Sequence, residues 1–88
     1  MSNPQTPQFF TLSTGQTLTI TYSRAISVYS AGGVTNVTNN DSQTIALQSG
    51  LTLDLEADNG NTLTTTTIVA QSGATSYVTM IGGSGVVS

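Results

Sequence analysis

The chain is expected to be all-β, a small antiparallel β-sandwich or β-barrel of about six to eight short strands, and three observations carry that reading. Apolar and small polar residues alternate with a period of two along most of the chain, which is the spacing of half-buried strands, whereas helical spacing is hard to find. Thr, Ser, Asn and Gln make up close to half of the 88 residues. The branched Thr side chain suits a pleated backbone, and Ser and Asn serve turns. Gly-containing turn signals separate the alternating runs, as short strands require.

Taken in order, residues 1–8 form a polar arm, "MSNPQTPQ", whose two prolines oppose regular strand pairing. A single β domain is expected over 9–81. It opens with "FFTLS" (Phe9 to Ser13) and "QTLTITYS" (Gln16 to Ser23), where Leu18, Ile20 and Tyr22 share one face. "AISVYS" follows, with Ile26 and Val28 facing inward, or Tyr29 if the register slips. The Asn- and Gly-rich stretch from Ala31 to Ser42 reads as the longest loop, with an irregular strand around Val34 to Val37. "QTIALQ" and "LTLDLEA" are expected to pair through a turn at Ser49-Gly50. Asn59-Gly60 is the strongest hairpin signal, because a type I′ turn needs positive φ at both positions, and it leads into "NTLTTTTIVAQ". A turn at Ser72-Gly73 precedes the last clear strand, "TSYVTMI", and residues 82–88, "GGSGVVS", form a Gly-rich tail.

Four turns share a phrase: "TGQTLTIT", "SGLTLDLE", "NGNTLTTT" and, more loosely, "SGATSYVT". Their glycines fall at 15, 50, 60 and 73, too unevenly for a solenoid repeat, so the phrase reads as recurrent hairpin grammar.

Composition excludes several functions. Arg24 is the only cation, there is no Lys, and the net charge is -3. Phosphate affinity rests on several Lys and Arg releasing counterions, so neither nucleic acid nor an anionic membrane is an expected partner. With neither Cys nor His, the disulfide route to stabilising so small a domain is closed, leaving association with other subunits. The many hydroxyls have no His or Lys to accept a proton, and no phosphate-binding Gly-x-x-x-x-Gly-Lys is possible. A non-enzymatic protein with no cofactor is expected. No export signal and no apolar run near the roughly 18 residues of a membrane helix is visible.

Some residues still invite a specific chemistry. Asp54, Glu56 and Asp58 alternate with Leu53, Leu55 and Ala57, so a strand would carry the three carboxylates on one face. They are candidate Ca²⁺ ligands, with help from Asp41, Asn59 or Asn61, although "DLEADNG" departs from a calcium loop at its third and sixth positions. A solvated, edge-protecting face is the plainer explanation. Same-face neighbours lie roughly 6.5–7 Å apart, a separation compatible with a glycosidase acid pair, but so small a chain has little core from which to build a cleft. Tyr22, Tyr29 and Tyr77 could present a sugar-stacking platform, or pack in the core with wet hydroxyls. Arg24 can form a bidentate pair with Asp54, Glu56 or a partner's carboxylate. Asn36 and Asn40 begin Asn-x-Ser/Thr sequons of the kind that chance produces in such a composition.

A Thr-, Ser-, Gly- and Asn-rich β chain without Cys or Lys, with "FFTLSTGQTLTIT" near its start and a "SGLTLDL" phrase, resembles the small virion structural proteins of tailed bacteriophages, particularly head-decoration (cement) proteins. The resemblance implies a β-sandwich or barrel, often trimeric, that stabilises a capsid by binding between subunits through its body and an extended arm. A virion location, homo-oligomerisation and contact with the major capsid or another virion protein are therefore expected. The contacts are expected at Phe9 and Phe10 beside the arm, at Arg24, and at Val86 and Val87 near the other end; the alternative for the two phenylalanines is that they close the domain's own core. The alternatives are a carbohydrate-binding or adhesin-like module and a tail or fibre component.

Overall fold

Leu18 and Ile20, Ile26 and Val28, Ile68 and Ala70, and Val78 and Met80 are buried pairs, each two residues apart on its own strand. The alternation in the sequence is thus the inside–outside alternation of two packed layers. The computed structural model describes residues 6–58 and 60–88. Among them it forms nine strands: β1 Gln8–Leu12, β2 Thr17–Ser23, β3 Ala25–Ala31, β4 Thr35–Thr38, β5 Thr44–Leu47, β6 Thr52–Glu56, β7 Leu63–Ala70, β8 Thr75–Ile81 and β9 Ser84–Val87. Sheet A has the order β1-β8-β3-β6 and sheet B the order β5-β4-β7-β2-β9, with every pairing antiparallel. This is a sandwich, with one core between the sheets. No helix among the described residues is long and apolar enough to cross a membrane.

Only β4 and β5 are both consecutive and paired; the other seven of the eight connections pass from one sheet to the other. The expected pairings of β5 with β6 and of β6 with β7 therefore do not occur. β5 pairs with β4, β6 with β3, and β7 with β2 and β4. A turn signal states that the chain reverses, not which strand it will lie beside. Leu53 and Leu55 on β6 pack against the buried core between the sheets, so the reversal is an arch over the core rather than a hairpin. Asn59 lies outside the described residues; Gly60 has φ +82° and Asn61 N–H donates to Asp58 O at 2.8 Å. The four glycines of the shared phrase all have positive φ and all stand in sheet-crossing connections. Three residues after each comes an inward-facing Leu18, Leu53, Leu63 or Ser76.

Two of these crossings run against a second crossing with almost no space between backbones. At one end, the β3–β4 link meets the β7–β8 link, and a Cβ on Gly33 would stand 2.8 Å from Ser72 O and 2.9 Å from Ala74 N. At the other end, β2 passes to β3 through the single residue Arg24, while β8 passes to β9 through Gly82-Gly83. A Cβ on Gly83 would strike Thr21 O and lie 2.7 Å from Ser23 N. Arg24 N–H donates to Ile81 O at 2.8 Å, and the buried Ser23 Oγ lies 2.9 Å from the same carbonyl, which ties this corner together.

Polar groups inside the first seam are paired. Ser30 Oγ donates to Gly33 O at 2.6 Å and Thr35 Oγ1 to Ser30 Oγ at 2.8 Å, so the Ser76 hydroxyl, 2.6 Å from Thr35 Oγ1, is left to donate to it. The three hydroxyls form one directed chain inside the core, and satisfied buried hydroxyls of this kind fix a unique packing.

Two segments are more ordered than the composition implies. The strand expected around Val34 to Val37 is β4, a regular strand over Thr35–Thr38 with Thr35 and Val37 buried, and what remains of the expected loop is the link at 32–34 and the β4–β5 turn. Asn39 Oδ1 organises that turn by accepting the N–H groups of Asp41 and Gln43. In the Gly-rich tail, residues 84–87 form β9 along β2, because the missing side chain of Gly85 leaves room for the ring of Phe10. Residues 1–5 of the expected arm lie outside the described residues, and β1 begins at Gln8. Tyr22 leaves the face of Leu18 and Ile20: its φ of +55° turns the side chain outward, where it is 65% exposed.

Gly83→Ala and Gly50→Ala separate crowding from backbone strain. A Cβ on Gly50 meets nothing within 4 Å, so only the left-handed backbone is costly, about 1–2 kcal/mol. Gly83→Ala is expected to lose more than about 4 kcal/mol in urea unfolding, because backbone must also move. Equal losses would show that the corner relaxes freely.

Candidate functional site

The outer face of sheet A gathers most of the residues singled out by their chemistry. Register sets them in rows across four strands. Thr11, Tyr77, Tyr29 and Thr52 form one row, Phe9, Thr79, Ser27 and Asp54 the next, and Ile81, Ala25 and Glu56 a third. Each strand contributes the residues at alternate positions whose neighbours fill the core. Tyr29 and Tyr77 are directly opposed, with ring centroids 6.2 Å apart and planes tilted by 31°, and both are exposed. Phe9 is 78% exposed on the neighbouring strand. The result is an outer face on which an exposed tyrosine pair, and a phenylalanine one row away, are interspersed with hydroxyls.

Beside it, the small side chains of Ala25 and Ser27 leave a shallow depression of about 340 Å³ between Ile81, Thr79 and the two acids of β6. Ser27 Oγ donates to Asp54 Oδ1 at 2.8 Å, which orients that carboxylate, while Glu56 stands exposed at the end of the strand. Both acids lie on an open sheet face, not within a cleft that would enclose a sugar. Among the described residues no three acidic groups converge on a metal position. Asp54 and Glu56 stand in line along β6 and Asp58 beyond its end, while Asp41 is in the turn after β4.

The other candidates are dispersed. Phe9 and Phe10 divide: Phe9 points outward, and Phe10 packs against the core and Gly85. Val86 and Val87 are exposed on β9, the edge strand of sheet B beside Phe10. Arg24 is exposed at the corner between β2 and β3, and its carbonyl accepts from Ala57 N–H at 2.9 Å. Tyr22 is on β2, in the sheet opposite the Tyr29–Tyr77 pair. Asn36 lies within β4 and Asn40 in the turn after it.

Sequence reasoning missed two features. The placement of Phe9, Tyr77 and Tyr29 on one outer face depends on β8 lying between β1 and β3, which local pattern does not encode. It also missed the uncovered apolar residues Ile45 and Leu51 around the β5–β6 connection. Compared with known proteins, the chain matches no family model, no curated protein and no solved structure.

Because the acids do not converge, calcium is expected to leave the protein unchanged. Melting temperatures in millimolar CaCl₂ and in chelator should coincide, since a ligand that binds the native state raises the melting point. An upward shift with calcium would reveal a site on β6.

Proposed function

We propose that this chain is a non-enzymatic assembly protein of a virus particle, a decoration or cement component that docks on a capsid or other virion protein through the outer face of sheet A. One observation carries the reading: three exposed aromatic residues share the outer face of sheet A, Tyr29 and Tyr77 as an opposed pair and Phe9 one row away on the next strand. Exposed apolar groups gathered on one face mark interaction sites, and aromatic residues dominate interface energetics. The near absence of charge agrees with a partner bound by shape and apolar contact. The compositional resemblance to head-decoration proteins supplies the virion setting, in which a small domain draws stability from its neighbours.

In the host that carries the gene, the tagged chain is expected to sediment with capsid-sized particles. Phe9→Ala combined with Tyr77→Ala should lower occupancy at least tenfold, about 1.4 kcal/mol, with the melting temperature little changed because both side chains are exposed. A chain that stays at the top of the gradient would refute the assembly role.

The Tyr29–Tyr77 pair favours a second reading, a carbohydrate-binding module. Two neighbouring rings at 6.2 Å, bordered by Thr11, Thr52 and Ser27, present apolar faces and hydroxyl partners together. Titration with neutral oligosaccharides, followed by tyrosine fluorescence, separates the two. Saturable binding lost in Tyr29→Ala and kept in Phe9→Ala would establish the sugar reading, and no binding leaves the assembly role in place.

A further inference from the structure

The two lateral seams of the sandwich are closed differently. Where β1 and β9 lie together, the ring of Phe10 fills the gap over Gly85. Where β5 and β6 lie together, nothing comparable among the described residues covers the layer between the sheets. A groove of about 280 Å³ remains there, lined by Val37, Ile45, Leu53 and Leu55 among others, and Ile45 is 50% exposed.

The four sheet edges also differ in how they discourage pairing. β6 carries Asp54 and Glu56, which would face one another in a symmetric pair, and β1 is preceded by Pro7. β5, Thr44 to Leu47, has neither a charge nor a proline. β9 also lacks both, but its seam is the closed one.

Which backbone groups of β5 face outward follows from the ladder. Asn39 N–H donates to Gln43 O at 2.9 Å, so Asn39 and Gln43 are a hydrogen-bonded pair. Antiparallel alternation then makes Val37–Ile45 and Thr35–Leu47 hydrogen-bonded as well. Thr44 and Ala46 therefore turn their N–H and C=O groups away from β4, toward the free edge. Consistent with this, among the described residues Ala46 O accepts only a local side-chain donor, Gln48 Nε2 at 3.2 Å.

We infer that β5 is a self-association edge on which a second copy of this chain pairs antiparallel about a two-fold axis at Ala46. A dyad makes one edge complementary to itself in the antiparallel sense, the more stable of the two pairings. With Ala46 opposite Ala46 of the second copy, the two alanines exchange both of their outward hydrogen bonds, and Thr44 lies opposite Gln48. The same register keeps Ile45 and Leu47 of both copies on the inward face, where the added strand covers the groove beside Leu53 and Leu55. A register shifted by one residue would put Ile45 of the second copy on the opposite face of the joined sheet, away from the groove. Charge agrees with a like partner, because β5 brings no charge to the axis. This surface is distinct from the aromatic face of sheet A, so the two roles stand or fall separately.

A four-residue strand pair buries less than about 1,200 Å², the range of transient complexes, so the dimer is a concentration-dependent one. Sedimentation velocity of the full chain over a hundredfold concentration range should show a monomer–dimer equilibrium. Ala46→Pro removes an N–H that the protein's own ladder does not use, and should weaken association at least tenfold while the melting temperature of dilute protein holds. Ala46→Lys keeps the backbone and sets like charges face to face, so its association should fall at low salt and recover in part at high salt. Val87→Pro, on the β9 edge, should leave association unchanged. A chain that remains monomeric throughout overturns the inference, as does a dimer indifferent to both Ala46 variants or abolished by Val87→Pro.

Discussion

Backbone-on-backbone crossing at two glycine seams is the constraint on which the rest of this fold depends. Gly33 against Ser72 and Ala74, and Gly83 against Thr21 and Ser23, bring two sheet-switching connections closer than any Cβ would permit. With a β2–β3 link of one residue, the sheets have no slack at that corner, so the strands leave it in fixed directions. The register of β3 with β8 follows, because each seam stands at one end of that pair. The hydroxyl chain from Ser76 through Thr35 to Ser30 sits beside one seam and satisfies the polar groups that the close approach buries.

That register sets the outer face. β8 lies between β1 and β3, which places Tyr77 beside Tyr29 and Thr79 beside Phe9. The placement of these aromatic residues is thus a by-product of how the crossings are locked. The opposite arrangement holds along β5, where four residues are attached through β4 alone and the layer beneath is only partly filled. The fold therefore offers an aromatic-bearing face on one sheet and an unfinished edge on the other.

Acidic residues in this setting act by where they are exposed. Asp54 and Glu56 line the outer face of an edge strand, and only Asp54 has a side-chain partner, Ser27 Oγ, among the described residues. Charge on an edge strand opposes pairing with another chain. Their position on β6, next to the neutral β5, restricts any added strand to one side of the open seam.

Local pattern decided the strands and their faces. Leu18, Ile20, Ile26, Val28, Ile68, Val78 and Met80 are buried where a period of two puts them, and the turn glycines take positive φ, because face and turn depend on near neighbours alone. Pattern was weaker where a neighbour distant in sequence supplies the order. β4 and β9 form because β7 and β2 offer them ladders, and Tyr22 turns outward at a corner whose other half is Gly83. The tertiary structure alone decided that "SGLTLDLE" and "NGNTLTTT" lead into opposite sheets, and that Phe9, Tyr29 and Tyr77 share one surface. The physical reason is that a Gly turn specifies reversal of the chain. Whether the reversed strand lies beside or across from its predecessor depends on which apolar faces must be buried against each other.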